Sequence, residues 1–223
     1  MKEGGTQPCI VAVIGLKKSG KTTVTEGIVA ELALRGYRVG TIKSMVQSSF
    51  TMDIEGKDTY RHSDAGADFV ISLSRSGIVY LERGEDLSRF CRVTRLFGPG
   101  TQFVICEGLV DRDAEQLQVI CLREPGYLDE TREVRGVDDS SVVAVSGIVA
   151  IGEHRMEWPV YNIMFPEDRI RLVDRLIKVS GSPEPSGKPS GPLLHDPEWR
   201  PGLLPQGEIP EVPPPFVGGK PHE

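Results

Sequence analysis

The stretch Gly15-Leu16-Lys17-Lys18-Ser19-Gly20-Lys21-Thr22-Thr23 decides how this chain is read. It fits G-x-x-x-x-G-K-[ST], a glycine loop that cradles phosphate where it joins a strand to a helix. The same string also arises at ordinary turns, so its flanks carry the weight. Upstream, Cys9-Ile10-Val11-Ala12-Val13-Ile14 is a short apolar run rich in β-branched residues, the pattern of a fully buried strand. Downstream, Val24, Ile28 and Leu32 recur every fourth residue, the apolar stripe of a helix, and Gly36 supplies its stop. Strand, loop and helix stand in the order the motif requires.

The chemistry expected of the loop follows from that order. Gly15 and Gly20 let the backbone approach a phosphate closely. Successive N–H groups through Ser19, Thr22 and Thr23 then converge on the anion, and the helix N-terminus adds partial positive charge. Lys21 is expected to reach the β- and γ-phosphates as the principal catalytic cation, and the Thr22 hydroxyl to ligate Mg²⁺. Lys17 and Lys18 add charge to the loop, as phosphate contacts or as a solvated pair.

With 223 residues and 39% apolar content, the chain can bury one core of ordinary size, or one core plus a tail. A net charge of −6 argues against a nucleic-acid partner, which demands a basic face. Cys9, Cys91, Cys106 and Cys121 are widely spaced, form no C-x-x-C pair and lie mostly in apolar runs. They read as buried free thiols in a reducing compartment. The first residues lack an apolar signal region and no run approaches transmembrane length, so a cytoplasmic protein with no membrane partner is expected.

Beyond the first helix, Arg38–Ile42 reads as a second strand ending in Lys43, and residues 44–57 as a polar loop beside the site. A helix is expected from Asp58 towards Ala67. Short strands follow at Phe69–Leu73 and Ile78–Leu81, then a helical period over Glu85–Leu96. Further strands are expected at Gln102–Cys106 and Leu117–Leu122, a charged surface stretch at 123–140, and a strand over Val142–Ala150. Pro166-Glu167-Asp168 opens a helix whose face is read as Ile170, Val173, Leu176 and Ile177. Alternating buried strands and amphipathic helices indicate an α/β domain of the P-loop NTPase type, a mostly parallel sheet with helices on both faces. Ligands of such sheets lie at the carboxyl ends of the strands. That puts the loop, Lys43 and Glu107 on one rim.

Twelve of the 17 prolines lie between Ser180 and Glu223, where few aliphatic residues remain to offset the entropy of ordering the chain. The domain is therefore drawn at 1–179 and a disordered, proline-rich tail at 180–223. Glu211–Phe216 within it reads as passive tail or as a docking peptide.

Several residues around the loop have two readings each. Glu107, after the apolar run Phe103–Cys106, suits the acid that holds the magnesium shell, or marks a strand's exit to solvent. Asp53 and Asp58 could hold metal, and Asp58 could simply cap its helix. Lys43 is a candidate phosphate contact or a solvated lysine; Arg61 could contact phosphate or pair with Asp58. Arg89, Arg92 and Arg95 read as a charged helix face, or as a lid over phosphate. His62 and His154 lack the spacing of a catalytic pair.

The loop, the Thr41-Ile42-Lys43 strand end, Phe50-x-x-Asp53-x-x-Gly56-Lys57-Asp58-Thr59-Tyr60-Arg61, the Ala65-Gly66-Ala67 that follows and Glu107-Gly108 occur in one order. In this the chain resembles the molybdopterin-guanine dinucleotide biosynthesis protein B family, over about residues 8 to 178. The resemblance implies a dimeric GTP-binding protein with weak GTPase activity. It would assist the guanylyltransferase-type enzyme that attaches GMP to molybdopterin. It maps Lys21 and Thr22 to phosphate and Mg²⁺, Glu107 to the acid near the metal, and Lys43, Asp58 and Arg61 to the flanking motif. Two departures stand out. Ser44-Met45-Val46-Gln47 stand where the family has histidines, and Glu153 is the nearest acid where the family's late strand ends in an Asp suited to guanine.

No arginine finger or water-orienting glutamine is evident, so slow turnover is expected. The rival readings are a P-loop kinase of a small molecule, with Asp53 or Asp58 near the acceptor hydroxyl, and a non-enzymatic adaptor whose loop only stabilises the fold.

Overall fold

The computed structural model describes residues 8–43, 69–73, 78–82, 100–110 and 115–202. Among them the strands are β1 (Cys9–Gly15), β2 (Val39–Lys43), β3 (Phe69–Leu73), β4 (Ile78–Glu82), β5 (Phe103–Glu107), β6 (Leu117–Leu122) and β7 (Val142–Gly147). The helices are α1 (Lys21–Leu34), α2 (Leu128–Arg135), α3 (Pro166–Ser180) and the short α4 (Pro192–His195).

Five strands form one sheet in the order β2-β5-β1-β6-β7, with every pairing parallel. β1 is central, and Val11, Ala12, Val13 and Ile14 are each 0% exposed, which is why the strand is apolar without alternation. Its odd residues, Val11 and Val13, pack with Val24, Ile28 and Leu32 of α1 and Leu172, Val173 and Leu176 of α3. Its even residues, Ala12 and Ile14, pack on the other face with Ile120, Leu122 and Val145, against Tyr127 and Leu128 at the start of α2. The chain leaves β1 towards β2 on one side and later reaches β6 on the other. The loop after β1 therefore sits at the switch point of the sheet, where α/β proteins open a crevice.

Several expectations from the sequence are corrected. The charged stretch 123–140 contains α2, whose Thr131 is fully buried and donates its hydroxyl to the Tyr127 carbonyl at 2.7 Å. The last strand ends at Gly147, and Ile148–Ile151 continues as a 3₁₀ turn. Of the α3 face expected, Val173 and Leu176 are buried and Ile177 packs on the core, but Ile170 is exposed, and Leu172 and Arg169 are buried beside them. Arg169 turns inward to Glu31 of α1, its Nε 3.4 Å from Glu31 Oε2, and Arg35 Nε holds Glu31 Oε1 at 2.9 Å. β3 and β4 pair antiparallel as a hairpin of their own, Phe69 opposite Glu82 and Leu73 opposite Ile78. The helices expected near Asp58–Ala67 and Glu85–Leu96 lie outside the described residues.

The boundary drawn at 179 marks the end of α3 but not the end of packing. Residues 181–202 run as a strap along α1. Gln102 anchors it, donating from Nε2 to the Glu184 carbonyl at 2.9 Å and accepting the Ser186 N–H at 3.0 Å. Gly187 N–H reaches the Gly36 carbonyl at 2.8 Å, and Ser190 N–H the Ala33 carbonyl at 2.9 Å. Leu193 is buried, and Gly202 N–H meets Glu26 Oε2 at 2.6 Å. A proline-rich chain builds no core of its own, yet its free backbone groups find partners on α1. Residues 203–223, including Glu211–Phe216, lie outside the described residues.

Candidate functional site: the loop between β1 and α1

Parallel register sets the rim. Gly15 stands opposite Cys121 of β6, Val13 opposite Glu107 of β5, and Glu107 opposite Lys43 of β2. The carboxyl ends of four strands thus bring the loop, the acid and Lys43 together, as the sequence predicts.

The loop is clamped from below. A Cβ at Gly15 would collide with the Cys121 carbonyl and come within 2.6 Å of Ser19 Oγ. On the far side, Ile148 N–H donates to the Ser19 carbonyl at 3.3 Å, and a Cβ on Gly147 would strike that same oxygen. Gly20, the N-cap of α1, lies in the left-handed region at φ 91°. Only backbone without side chains fits between β6, β7 and the loop, so the glycines at 15 and 147 are steric requirements. Ser19 is 1% exposed and its Oγ has no hydrogen-bond partner.

Around this clamp the polar groups converge. Lys21 Nζ donates to the Leu16 carbonyl at 2.7 Å, folding its ammonium back over the loop. Burial pushes the Lys21 pKa down, and the Arg135 and Lys43 charges push the same way against Cys121 and Glu107. The Thr22 hydroxyl donates to Glu107 Oε1 at 2.7 Å, and Lys43 Nζ lies 3.3 Å from that oxygen. Lys17 and Lys18 are exposed, Lys18 at φ 62°. Thr23 faces the strap, its Oγ1 3.3 Å from where a Gly202 Cβ would stand. Cys121, directly under Gly15, is buried, and desolvation raises its thiol pKa to about 12, so it remains a neutral packing group.

The Thr22–Glu107 oxygen pair has the chemistry of a magnesium site. Mg²⁺ prefers oxygen donors at about 2.1 Å in an octahedron, so two neighbouring ligands stand about 3 Å apart. The 2.7 Å separation is close to that. Among the described residues no group of three or more His, Cys, Asp and Glu could hold a metal, so these two oxygens would need waters or phosphate to complete a shell. Asp53, Asp58 and Arg61, read from the sequence as metal and phosphate candidates, lie outside the described residues, as do Arg89, Arg92 and Arg95.

Two participants escaped the sequence reading. Gly147-Ile148 closes one wall of the loop, announced only by a glycine after an apolar strand. Arg135 bears electrostatically on Lys21, although its place at the end of a charged stretch hid it. A separate open cleft of about 680 Å³, lined in part by Tyr37, Arg38, Thr101 and Lys188, lies at the amino ends of β2 and β5 and shares no residue with the loop.

A central parallel strand, a glycine loop and a helix, with an acid at the end of the neighbouring strand, define an α/β protein of the P-loop type. The family model described as molybdopterin guanine dinucleotide synthesis protein B matches residues 10–145, and the chain belongs to that family. It is 31% identical over 175 residues to a probable molybdopterin-guanine dinucleotide biosynthesis adapter protein of Bacillus subtilis, covering 77% of this chain and 94% of the relative. A putative adapter protein of the same description from Methanocaldococcus jannaschii is 35% identical over 99 residues, covering 44% of this chain and 40% of that protein. The crystal structure of Bacillus subtilis MobB superposes with a TM-score of 0.55 at 22% identity, covering 75% of this chain and 97% of that one. At that identity the likeness speaks for the fold. No helix among the described residues is long and apolar enough to cross a membrane.

Proposed function

We propose that this chain is a GTP-binding accessory protein of molybdenum cofactor biosynthesis. In this reading it assists the enzyme that joins GMP to molybdopterin. The role in the pathway rests on family membership and on the adapter proteins it resembles. Nucleotide binding rests on one observation above others: Lys21, Thr22 and Glu107 converge over a loop clamped by Gly15 and Gly147. The loop amides and the Lys21 ammonium would hold the β- and γ-phosphates. Thr22 Oγ1 and Glu107 would hold Mg²⁺, directly or through a water, and the ion would draw the phosphate oxygens into register. Hydrolysis would be slow, because no described residue stands ready to orient a water. The base would lie against the Ile148–Ile151 turn, where Ile148 and Ile151 are exposed and Glu153 is the nearest acid. That wall offers apolar contact rather than a carboxylate aimed at guanine, so preference for GTP over ATP should be modest. We assign the working form as a cytoplasmic homodimer in line with the family resemblance.

The test is a calorimetric titration of the full chain with GTP and ATP, with and without Mg²⁺, beside Lys21→Ala and Thr22→Val. Binding that Lys21→Ala abolishes and that Thr22→Val uncouples from Mg²⁺ supports the assignment. Wild-type affinity in Lys21→Ala overturns it.

A further inference from the structure

Where the strap crosses the end of α1, its residues Ser186 to Ser190 form one wall of the open cleft of about 680 Å³ at the amino ends of β2 and β5. That volume is the size of a small-molecule site. The floor is apolar and fixed. Val29, Ala33 and Val39 line it beside Tyr37, whose ring is buried and meets Phe103 edge-on at 5.2 Å. The walls carry charge. Arg38 comes from the turn between α1 and β2 and Lys188 from the strap, and both side chains are exposed to the opening. Packing places the arginine: a Cβ on Gly187 would stand 3.3 Å from Arg38 Cγ, and one on Gly100 would stand 3.2 Å from Arg38 Nη1. Its stem therefore lies along the strap, one residue from Lys188, and its guanidinium lies over Gly100. Gly187 itself is held against the body, its N–H on the Gly36 carbonyl at 2.8 Å. Among the described residues neither cation is paired with an acid. Arg35, three residues earlier, shows the ordinary alternative, bonded to Glu31 and Asp174. Glu184 stands on the strap ahead of the cleft and its charge reaches Tyr37, second to burial in raising that pKa, but it is no lining residue. Two cations without a counter-charge, set over one apolar floor, make a local positive potential on a chain whose net charge is −6.

We propose that this cleft binds a small phosphate monoester, its phosphate held by Arg38 and Lys188 and its apolar or flat body laid over Tyr37 and Val39. A phosphate suits the pair because the arginine fork offers two parallel donors to its oxygens while the lysine acts as a point charge. The Ser190 hydroxyl, on the same wall, is a further donor. An apolar floor of this extent favours an ester over the bare ion. The site shares no residue with the Gly15–Thr22 loop and stands apart from the nucleotide-binding reading. It also gives the strap a task. Half of the polar wall belongs to residues 186–190, so a bound ligand fastens them to the body of the domain.

Nuclear magnetic resonance on the isotope-labelled full chain tests this, with phenyl phosphate as the probe and phenol and inorganic phosphate beside it. Phenyl phosphate should shift the Arg38, Gly187, Lys188 and Ser190 amides with a dissociation constant on the order of 1 mM, and each control should bind more weakly. Hydrogen exchange at Gly187 and Ser190 should slow when it binds. Arg38→Gln and Lys188→Gln should each weaken it by about fivefold or more, the double variant should abolish it, and the melting temperature of the free protein should hold in all three. Absence of shifts at these amides overturns the proposal, and shifts at the Gly15–Thr22 loop, a separate site, do not rescue it. An equal response to phenol also overturns it, since the cleft would then be apolar in its choice of ligand. So does unchanged affinity in the double variant, or tighter binding of a polyglutamate peptide than of phenyl phosphate, which would put an acidic protein partner there.

Discussion

Lys43 Nζ lies 3.3 Å from Glu107 Oε1, the oxygen that also accepts the Thr22 hydroxyl. The ammonium thus neutralises the carboxylate where a divalent ion would otherwise sit. Lys43 is 57% exposed in its side chain, so the pair adds at most about 1 kcal/mol to stability once solvent screening is counted. Its consequence is competition. Lys43→Gln should leave the melting temperature nearly unchanged while lowering the Mg²⁺ concentration at which nucleotide affinity is half-enhanced. A rise in that concentration would instead identify Lys43 as a phosphate contact.

The lowered pKa of Lys21 has a stability consequence whose sign can be worked out. Burial is the main cause, so the charged form is penalised in the folded state. Below the folded pKa both states carry the proton and the penalty is complete. As pH rises from the folded pKa to the ordinary lysine value near 10.5, the folded state releases its proton first and the penalty fades. Lys21→Met should therefore be more stable than wild type at pH 7 without nucleotide, and the gap should close above about pH 10. Urea unfolding of both proteins across that range measures it, and a gap that does not narrow refutes the account.

The parts legible in the sequence are those where one local pattern determines the structure. The Cys9–Ile14 run, the glycine loop and the Val24-Ile28-Leu32 stripe each specify their neighbours, and the acid at Glu107 follows from a strand ending at the rim. What stayed hidden depends on pairing across long separations. Nothing near Arg169 announces that it will turn inward to Glu31, 138 residues earlier. The charges of 129–135 mask a helix whose inner face is carried by Leu128 and Thr131. Composition correctly marks 181–202 as unable to form a core, but says nothing of Gln102, which holds it down.

The buried pair between α1 and α3 should be among the most sensitive points of the fold. Arg169 and Glu31 side chains are 3% and 5% exposed, and Arg169 Nη1 has no partner. Removing one member leaves the other charged in a dry interface, at a cost of about 3–5 kcal/mol. Arg169→Met and Glu31→Leu should each lower the urea midpoint sharply. The double variant Glu31→Leu with Arg169→Met should be less unstable than either single change predicts by addition, because no stranded charge remains. Arg35 limits the recovery, since it loses Glu31 as well and keeps Asp174 and the Ile170 carbonyl.

Gln102 gives the most direct control over the strap. One side chain contacts Pro183, Glu184 and Ser186, and accepts the Arg38 N–H at 3.4 Å. Gln102→Ala strands those strap groups next to β5 without disturbing the loop at the other end of the sheet. Hydrogen exchange should quicken at the Ser186, Gly187 and Ser190 amides, the last two of which bond to the end of α1. Because Gly202 is tied separately to Glu26, its protection should persist, so the strap should open from its Gln102 end. A Glu26→Ala variant should show the reverse order. Equal loss of protection along the whole of 181–202 in both variants would mean that the strap releases as one unit, and that neither anchor acts alone.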